Sequence, residues 1–177
     1  MSTIDIIKQR YSCRDFKDEP VTEDVIRTLC DCALAAPTGV NRQGVRFHVI
    51  TDRKLIDEIS EKTLNVAGEA VRERIKNRGA TSIFYGAPLV IVLSSEEDPY
   101  DEVNAGIAVQ TLALAAQAEG LASCIIAMAS SAFRDDELPG KLGFRDGERF
   151  IVSIAIGHPN TGKDPHEGDK NNIVRHI

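Results

Sequence analysis

The sequence has no tryptophan, and aromatic residues make up only 5% of its 177 residues. It also has no apolar run of the roughly eighteen residues that a membrane-spanning helix needs. Its N-terminus carries no basic segment followed by an apolar core, so no secretory signal is expected. We therefore expect a cytoplasmic protein with no membrane partner.

The common nucleotide and hydrolase signatures are missing as well. No Gly-x-Gly-x-x-Gly follows a predicted strand and no Gly-x4-Gly-Lys-Ser/Thr occurs, which argues against dinucleotide and P-loop sites of the usual kind. Neither Gly-x-Ser-x-Gly nor His-Glu-x-x-His is present, which argues against a serine hydrolase and a zinc protease. We expect no side chain to act as a catalytic nucleophile.

The cysteines, the histidines and the net charge argue against further kinds of site and partner. The four cysteines are scattered and the four histidines show no ligand spacing, so we expect reduced thiols and no metal site. Acidic residues outnumber basic ones by 27 to 21, which gives a net charge of −6, and the two signs are interspersed. This pattern argues against a nucleic-acid partner.

The chain length fits one domain, residues 1–177, in which helical and strand patterns alternate. Helices are predicted over 3–9, 22–36, 52–63 and 100–119, with an irregular helical stretch over 130–142. Strands are predicted over 45–50, 88–93, 121–128 and 150–156. The alternation indicates an α/β or α+β domain. Residues 65–79 are polar and basic, and we expect this segment to be mobile or variable.

The predicted helix over 100–119 is small or aliphatic on almost every side. A helix of this kind must be buried all round. Because the protein is small, we expect a second subunit to supply part of the cover, with Ala113 and Ala116 permitting close approach.

The stretch from Arg10 to Phe16 carries two arginines four positions apart with a serine between them. The guanidiniums of Arg10 and Arg14 and the hydroxyl of Ser12 could converge on a phosphate, since an arginine fork matches phosphate oxygens. The alternative is a helix that ends near Arg10, with cations beside its last carbonyl groups.

The segment from Pro37 to Gly44 is a loop rich in amide and hydroxyl groups and free of acidic residues. It is suited to donate hydrogen bonds to a ligand. The alternative is that the amides of Asn41 and Gln43 are satisfied by the turn backbone.

At this point the chain resembles the nitroreductase family of FMN-dependent oxidoreductases. Two departures accompany the resemblance: Gly44-Val45 replaces a Pro-Trp pair, and Ala127-Met128 stands where many relatives have Gly-Gly or Glu-Gly. The resemblance is carried by four segments in the family's order: Arg10-Tyr11-Ser12-Cys13-Arg14-Asp15-Phe16 with Pro20-Val21; Ala36 to Gln43 with Phe47; Gly106 to Cys124; and Ile156-Gly157-His158-Pro159.

The resemblance implies an α+β fold with three layers, α/β/α, in which helices flank a central, mostly antiparallel sheet. It also implies a homodimer with FMN at the subunit interface. The phosphate and ribityl chain of FMN would be held by Arg10, Tyr11, Ser12 and Arg14, with Lys170 as a further cation. The loop residues Pro37, Thr38, Gly39, Asn41 and Gln43 would approach the flavin from the other subunit, and Ala127, Met128 and Ala129 would line the opposite side of the ring.

The activity implied by the resemblance is hydride transfer from NAD(P)H through FMN to a nitroaromatic, quinone or similar small-molecule acceptor, with ping-pong kinetics. Two alternatives stay open. One is a flavin-consuming or dehalogenating enzyme on the same fold, and the other is a flavin-binding module without turnover.

Overall fold

The computed structural model describes residues 1–175, which form helices and one sheet in alternation. The strands are β1 Arg46–Ile50, β2 Leu89–Glu96, β3 Ala122–Ile126 and β4 Glu148–Gly157. The α-helices are α1 Thr3–Gln9, α2 Glu23–Leu34, α3 Arg53–Ala67, α4 Glu69–Lys76, α5 Asp101–Ala118 and α6 Glu137–Leu142. Short 3-10 helices span Gly39–Asn41, Met128–Phe133 and Lys170–Asn172.

The four strands form a sheet in the order β1-β2-β4-β3, and each neighbouring pair is antiparallel. The two central strands are the most apolar, since β2 is buried on both faces from Leu89 to Leu93. This fits a strand that helices cover on both sides. β1 and β3 are the two edges of the sheet.

Alternate residues of β2 contribute to two separate hydrophobic cores. Ile91 and its same-face neighbours pack against α2 and α5. Val90 and Val92 pack against α3 and α4 on the other face. The predicted three-layer α/β/α arrangement with an antiparallel sheet is therefore confirmed.

The prediction that Ala113 and Ala116 permit close approach of a second subunit is wrong. Ala113 and Ala116 are fully buried, but they pack within the same chain against α2 and the sheet. The opposite face is open, with Val103 61% and Ile107 38% exposed. A contact with a second copy would therefore use Val103 and Ile107 rather than the two alanines.

The polar segment over 65–79 takes a definite structure. It contains the end of α3 and the whole of α4, whose one buried side chain is Ile75. Gly68 separates the two helices with a φ of 81°, in the left-handed region that glycine adopts without strain. Within residues 1–175, no helix is long and apolar enough to cross a bilayer.

Candidate functional site

The stretch from Arg10 to Phe16 lies along the β3 edge of the sheet. α1 ends at Gln9, and Arg10 is its C-terminal cap. Beyond it the backbone is tied to β3, because Ser12 forms a parallel bridge with Ser123 and the Cys13 N–H donates to the Ser123 carbonyl at 2.9 Å. The alternative of a helix end thus applies to Arg10, while Arg14 is held by the sheet.

The charges of three guanidiniums, those of Arg10, Arg14 and Arg78, act on the buried thiol of Cys124, and we call these three residues the arginine cluster. Burial raises the pKa of Cys124, and the three cations oppose that rise. Within residues 1–175 none of the three arginines forms an ion pair with a carboxylate. The Arg14 Nε is buried and has no hydrogen-bond partner there.

Two adjoining cavities lie beside the arginine cluster: Arg14 lines both, Arg78 lines one and Arg10 lines neither. One, of about 340 Å³, is lined by Ser12, Arg14, Arg78 and Lys163, among others. The second, of about 280 Å³, is lined by Ser12, Arg14 and Lys163 as well, together with His166. Unpaired cations, a hydroxyl and an orphaned N–H around a cavity fit a phosphate group, because buried donors require partners.

Sequence reasoning did not identify Arg78 and Lys163 at this position. Lys170, the cation that was predicted, lies in the short helix Lys170–Asn172 and does not line either cavity. Arg78 belongs to the segment treated as variable, and nothing in its spacing points to Arg14. Lys163 follows the Ile156–Pro159 segment closely, which was the one signal that could have suggested it.

The loop before β1 has a strained backbone. Val40, Asn41 and Gln43 all have positive φ angles, of 47°, 55° and 52°, a conformation that non-glycine residues rarely adopt and that occurs frequently at ligand sites. Two contacts hold the loop on α5. The Gly39 N–H donates to Asn104 Oδ1 at 2.9 Å, and a Cβ on Gly39 would lie 2.9 Å from the ring of Tyr100.

Part of the hydrogen-bonding capacity of this loop is used internally. The Gln43 side-chain amide donates to Asn41 Oδ1 at 3.0 Å, and the Gln43 backbone N–H donates to the Thr38 hydroxyl at 3.0 Å. The alternative of amides satisfied within the turn therefore holds for these groups. Pro37 precedes this network, and Thr38 and Gln43 also line a cavity of about 290 Å³ against α2 and β1.

Ala127, Met128 and Ala129 follow β3 at the same edge as the arginine stretch. Ala127 is exposed, Met128 is partly buried against the core and Ala129 is fully buried. None of the three side chains is ionisable. Ala127 and Met128 can therefore offer a ligand an apolar surface but no side-chain proton, whereas the predicted contact of the Ala129 side chain with a ligand is wrong because that side chain lies in the core.

One chain does not bring the loop and the arginine stretch together. The loop leads into β1, whereas Ser12 pairs with β3, and three strand spacings of about 4.8 Å separate these edges by about 14 Å. The two parts also lie at different positions along the strands. Arg46 of β1 pairs with Ser94 of β2, whereas Ser123 of β3 pairs with Ile156 of β4, which in turn pairs with Leu89 of β2. Five residues at about 3.4 Å add about 17 Å, so the two parts occupy diagonally opposite corners of the sheet.

The remaining cysteine, histidine and carboxylate side chains of residues 1–175 do not form a metal centre. No group of three or more His, Cys, Asp or Glu side chains suited to a metal ion occurs in the described part of the chain. The four cysteines are free thiols. Burial lowers the pKa of His48, which is stacked on Phe144 and bonded to the Leu142 carbonyl through Nδ1 at 3.0 Å. His48 therefore has a structural role.

Comparison with known proteins gives one family. The model of the nitroreductase family matches residues 7–158. The chain is 34% identical over 173 residues to the iodotyrosine deiodinase of Thermotoga neapolitana, covering 90% of this chain and 89% of that protein. It is 28% identical over 166 residues to the NADPH-flavin oxidoreductase of Vibrio harveyi, covering 90% of this chain and 66% of that protein.

A solved structure agrees with this result over the full length. The nitroreductase with bound FMN from Desulfitobacterium hafniense is 36% identical, with a TM-score of 0.94 and 100% of both chains covered. The similarity thus includes the arginine stretch, the loop, the sheet and the tail.

Proposed function

The chain belongs to the nitroreductase family and is an FMN-dependent oxidoreductase; from this premise we propose that it reduces nitroaromatics, quinones or similar small acceptors. When bound, FMN would supply the redox chemistry that passes two electrons from NAD(P)H to the acceptor, so ping-pong kinetics are expected. The chain's own residues bind and orient the reactants.

The observation that carries the proposal is the buried, unpartnered Nε of Arg14 in a cluster of cations that has no carboxylate partner within residues 1–175. A buried N–H without a partner is costly, and a phosphate oxygen would satisfy it. On this proposal Ser12 and Arg14, which line both cavities, bind the phosphate, and Arg10, which lines neither, contributes through its charge. Lys163 also lines both cavities and takes, in our proposal, the role of further cation that the resemblance gave to Lys170.

The remaining assigned residues bind the rest of the flavin. Tyr11 lines the same two cavities, and its hydroxyl donates to the Thr161 carbonyl at 3.4 Å, which ties the tail to the arginine stretch. We assign Ala127 and Met128 to one side of the ring because they continue the edge that begins at Ser12; the side chain of Ala129 is buried in the core. Since their side chains carry no acidic hydrogen, they cannot supply protons to the acceptor.

A second copy of this chain completes the site in our proposal. Pro37, Thr38, Gly39, Asn41 and Gln43 lie too far from the arginine cluster of their own chain to share its ligand. The exposed faces of α1 and α5 carry apolar side chains on neighbouring elements, which suits a dimer interface. These side chains are Ile4, Ile7, Val103 and Ile107.

The test is an absorbance spectrum of the purified protein followed by anaerobic addition of NADH or NADPH. We expect a yellow protein whose flavin bands bleach with at least one nicotinamide and recover when a quinone or nitroaromatic is added. A colourless protein that cannot be reconstituted with FMN would refute the proposal. Bound FMN that stays oxidised under excess NADH and NADPH would support the binding module without turnover.

Reductive dehalogenation is the second candidate. It is favoured by the 34% identity to an iodotyrosine deiodinase, which extends over nearly the full length of both chains. Iodide release from 3-iodotyrosine by the reduced protein would support it. Turnover of NAD(P)H with a nitroaromatic or quinone, without iodide release from iodotyrosine, would support the first candidate instead.

A further inference from the structure

We propose that Arg78 is an additional phosphate ligand of FMN, positioned by Tyr85, and that its contact with the phosphate anchors the segment over 69–80. The proposal rests on the proposed function, since it names a residue of the same site. It adds a basis for selecting FMN over riboflavin, which has the same ring and ribityl chain but no phosphate.

The position of Arg78 is the first argument. It lines the same cavity of about 340 Å³ as Ser12 and Arg14, although 64 positions separate Arg78 from Arg14 in the sequence. Its charge acts on the Cys124 thiol together with those of Arg10 and Arg14. Arg14 and Arg78 therefore border one cavity at the β3 edge.

The charges around this cavity are the second argument. Arg14, Arg78 and Lys163 line it, and Asp15 is the acid among its lining residues. One oxygen of Asp15 already accepts a hydrogen bond from the Asn160 side-chain amide at 2.8 Å. The adjoining cavity of about 280 Å³ adds Asp164 and His166. Cations outnumber acids beside Ser12, so a dianionic phosphate would be attracted there.

Tyr85 holds the guanidinium in place. Nη1 of Arg78 donates to the Tyr85 hydroxyl at 2.8 Å, and Tyr85 is only 7% exposed. Its backbone has a φ of 57°, which is unfavourable for an aromatic residue and must be maintained by its contacts. One of these contacts is the N–H of Phe16, which donates to the Tyr85 carbonyl at 3.3 Å. Tyr85 therefore links Arg78 to the stretch that carries Arg14.

The anchoring effect follows from where Arg78 lies in the chain. It is two residues beyond α4, and its N–H donates to the carbonyl of Ile75 at 3.0 Å. Because Ile75 is the one buried side chain of α4, the helix has few tertiary contacts. A contact from Arg78 to bound phosphate would add a second attachment directly at its C-terminal end.

The test measures affinity for FMN and for riboflavin by calorimetry on the apoprotein. We expect Arg78→Ala to weaken FMN binding at least about tenfold, as for loss of a hydrogen bond to a charged group, and riboflavin binding by less than about twofold. Tyr85→Phe keeps the ring and should weaken FMN alone, by about threefold. Arg74→Ala is the matched control on the exposed surface of α4 and should change neither affinity.

Hydrogen exchange gives an independent readout. In the wild type, FMN should protect the backbone amides over 69–80 more than riboflavin does, and Arg78→Ala should abolish the difference. The proposal is overturned if Arg78→Ala leaves FMN affinity unchanged, or weakens FMN and riboflavin equally, since the residue would then be irrelevant or merely structural. It is also overturned if the wild type binds both flavins equally, whereas a wild type that binds neither refutes the proposed function itself.

Discussion

Replacing Arg14 with alanine tests the phosphate site most directly. The side chain has a buried Nε with no hydrogen-bond partner and forms no ion pair within residues 1–175, so nearly all its polar interactions are available to a ligand. A hydrogen bond to a charged group contributes about 2 kcal/mol, which corresponds to about a thirtyfold rise in the Kd for FMN. Without flavin, the substitution removes an unsatisfied N–H and also some aliphatic packing. Because these effects oppose each other, the apoprotein should change in stability by less than about 1 kcal/mol.

The two expectations can be measured in one series of thermal unfolding curves with and without FMN. At an FMN concentration of about 100 times the wild-type Kd, binding stabilises the wild type by about 2.7 kcal/mol. A thirtyfold weaker variant at the same concentration would gain only about 0.9 kcal/mol. An unchanged Kd by calorimetry would refute the reasoning and leave Arg14 a surface cation. Equal destabilisation with and without FMN would instead mean that its role is structural.

The remaining predictions concern acid stability, assembly and the second cation. Because burial lowers the pKa of His48, this side chain is protonated more readily in the unfolded chain than in the folded one. The free energy of unfolding, measured with urea, should therefore fall below about pH 6.5, and it should fall less in His48→Gln. Ile107→Glu should shift sedimentation toward the monomer, while Ala113→Leu should lower the free energy of unfolding by about 1–3 kcal/mol through overpacking within the chain. If Ala113→Leu were the variant that dissociated, our assignment of the two faces of α5 would be wrong. Lys163→Ala should weaken FMN binding about fivefold in calorimetry and Lys170→Ala should not; the reverse order would restore Lys170 as the phosphate cation.

The architecture was largely predictable because its determinants are local. The helix over 3–9 coincides with α1, and the run from Pro88 to Leu93 reads as a covered strand because its β-branched residues face a core on each side. Gly120 ends α5 with a φ of 75°, as expected for a residue that follows a helix. What local pattern could not predict was which face of α5 the chain covers by itself, since small apolar residues occur all round it.

Candidate site residues could be proposed from the sequence only where several of them lie in one short segment. The arginine stretch and the loop stand out because each places several donors within a few residues. Arg78 does not, since it reaches the cavity through the fold of α4 and the contact with Tyr85. Similarly, the sequence does not distinguish Lys163 from Lys170, because both lie in a polar tail. In the structure the hydrogen bond from Tyr11 to the Thr161 carbonyl places the part of the tail that contains Lys163 beside Ser12.

The separation of the two predicted halves constrains how the enzyme can work. The strain in the loop, at Val40, Asn41 and Gln43, is held by Asn104 and Tyr100 at the start of α5, so the loop cannot swing to its own arginine cluster without breaking these contacts. If both halves bind one flavin, the loop must come from another chain. FMN binding and dimerisation would then be linked: each would strengthen the other by the same coupling free energy. Dilution that dissociates the dimer should therefore release FMN. A substitution in the proposed dimer interface, such as Ile107→Glu, should lower the affinity for FMN although Ile107 lines neither of the two cavities beside Arg14. FMN affinity that is independent of protein concentration across the dissociation range would show that one chain suffices.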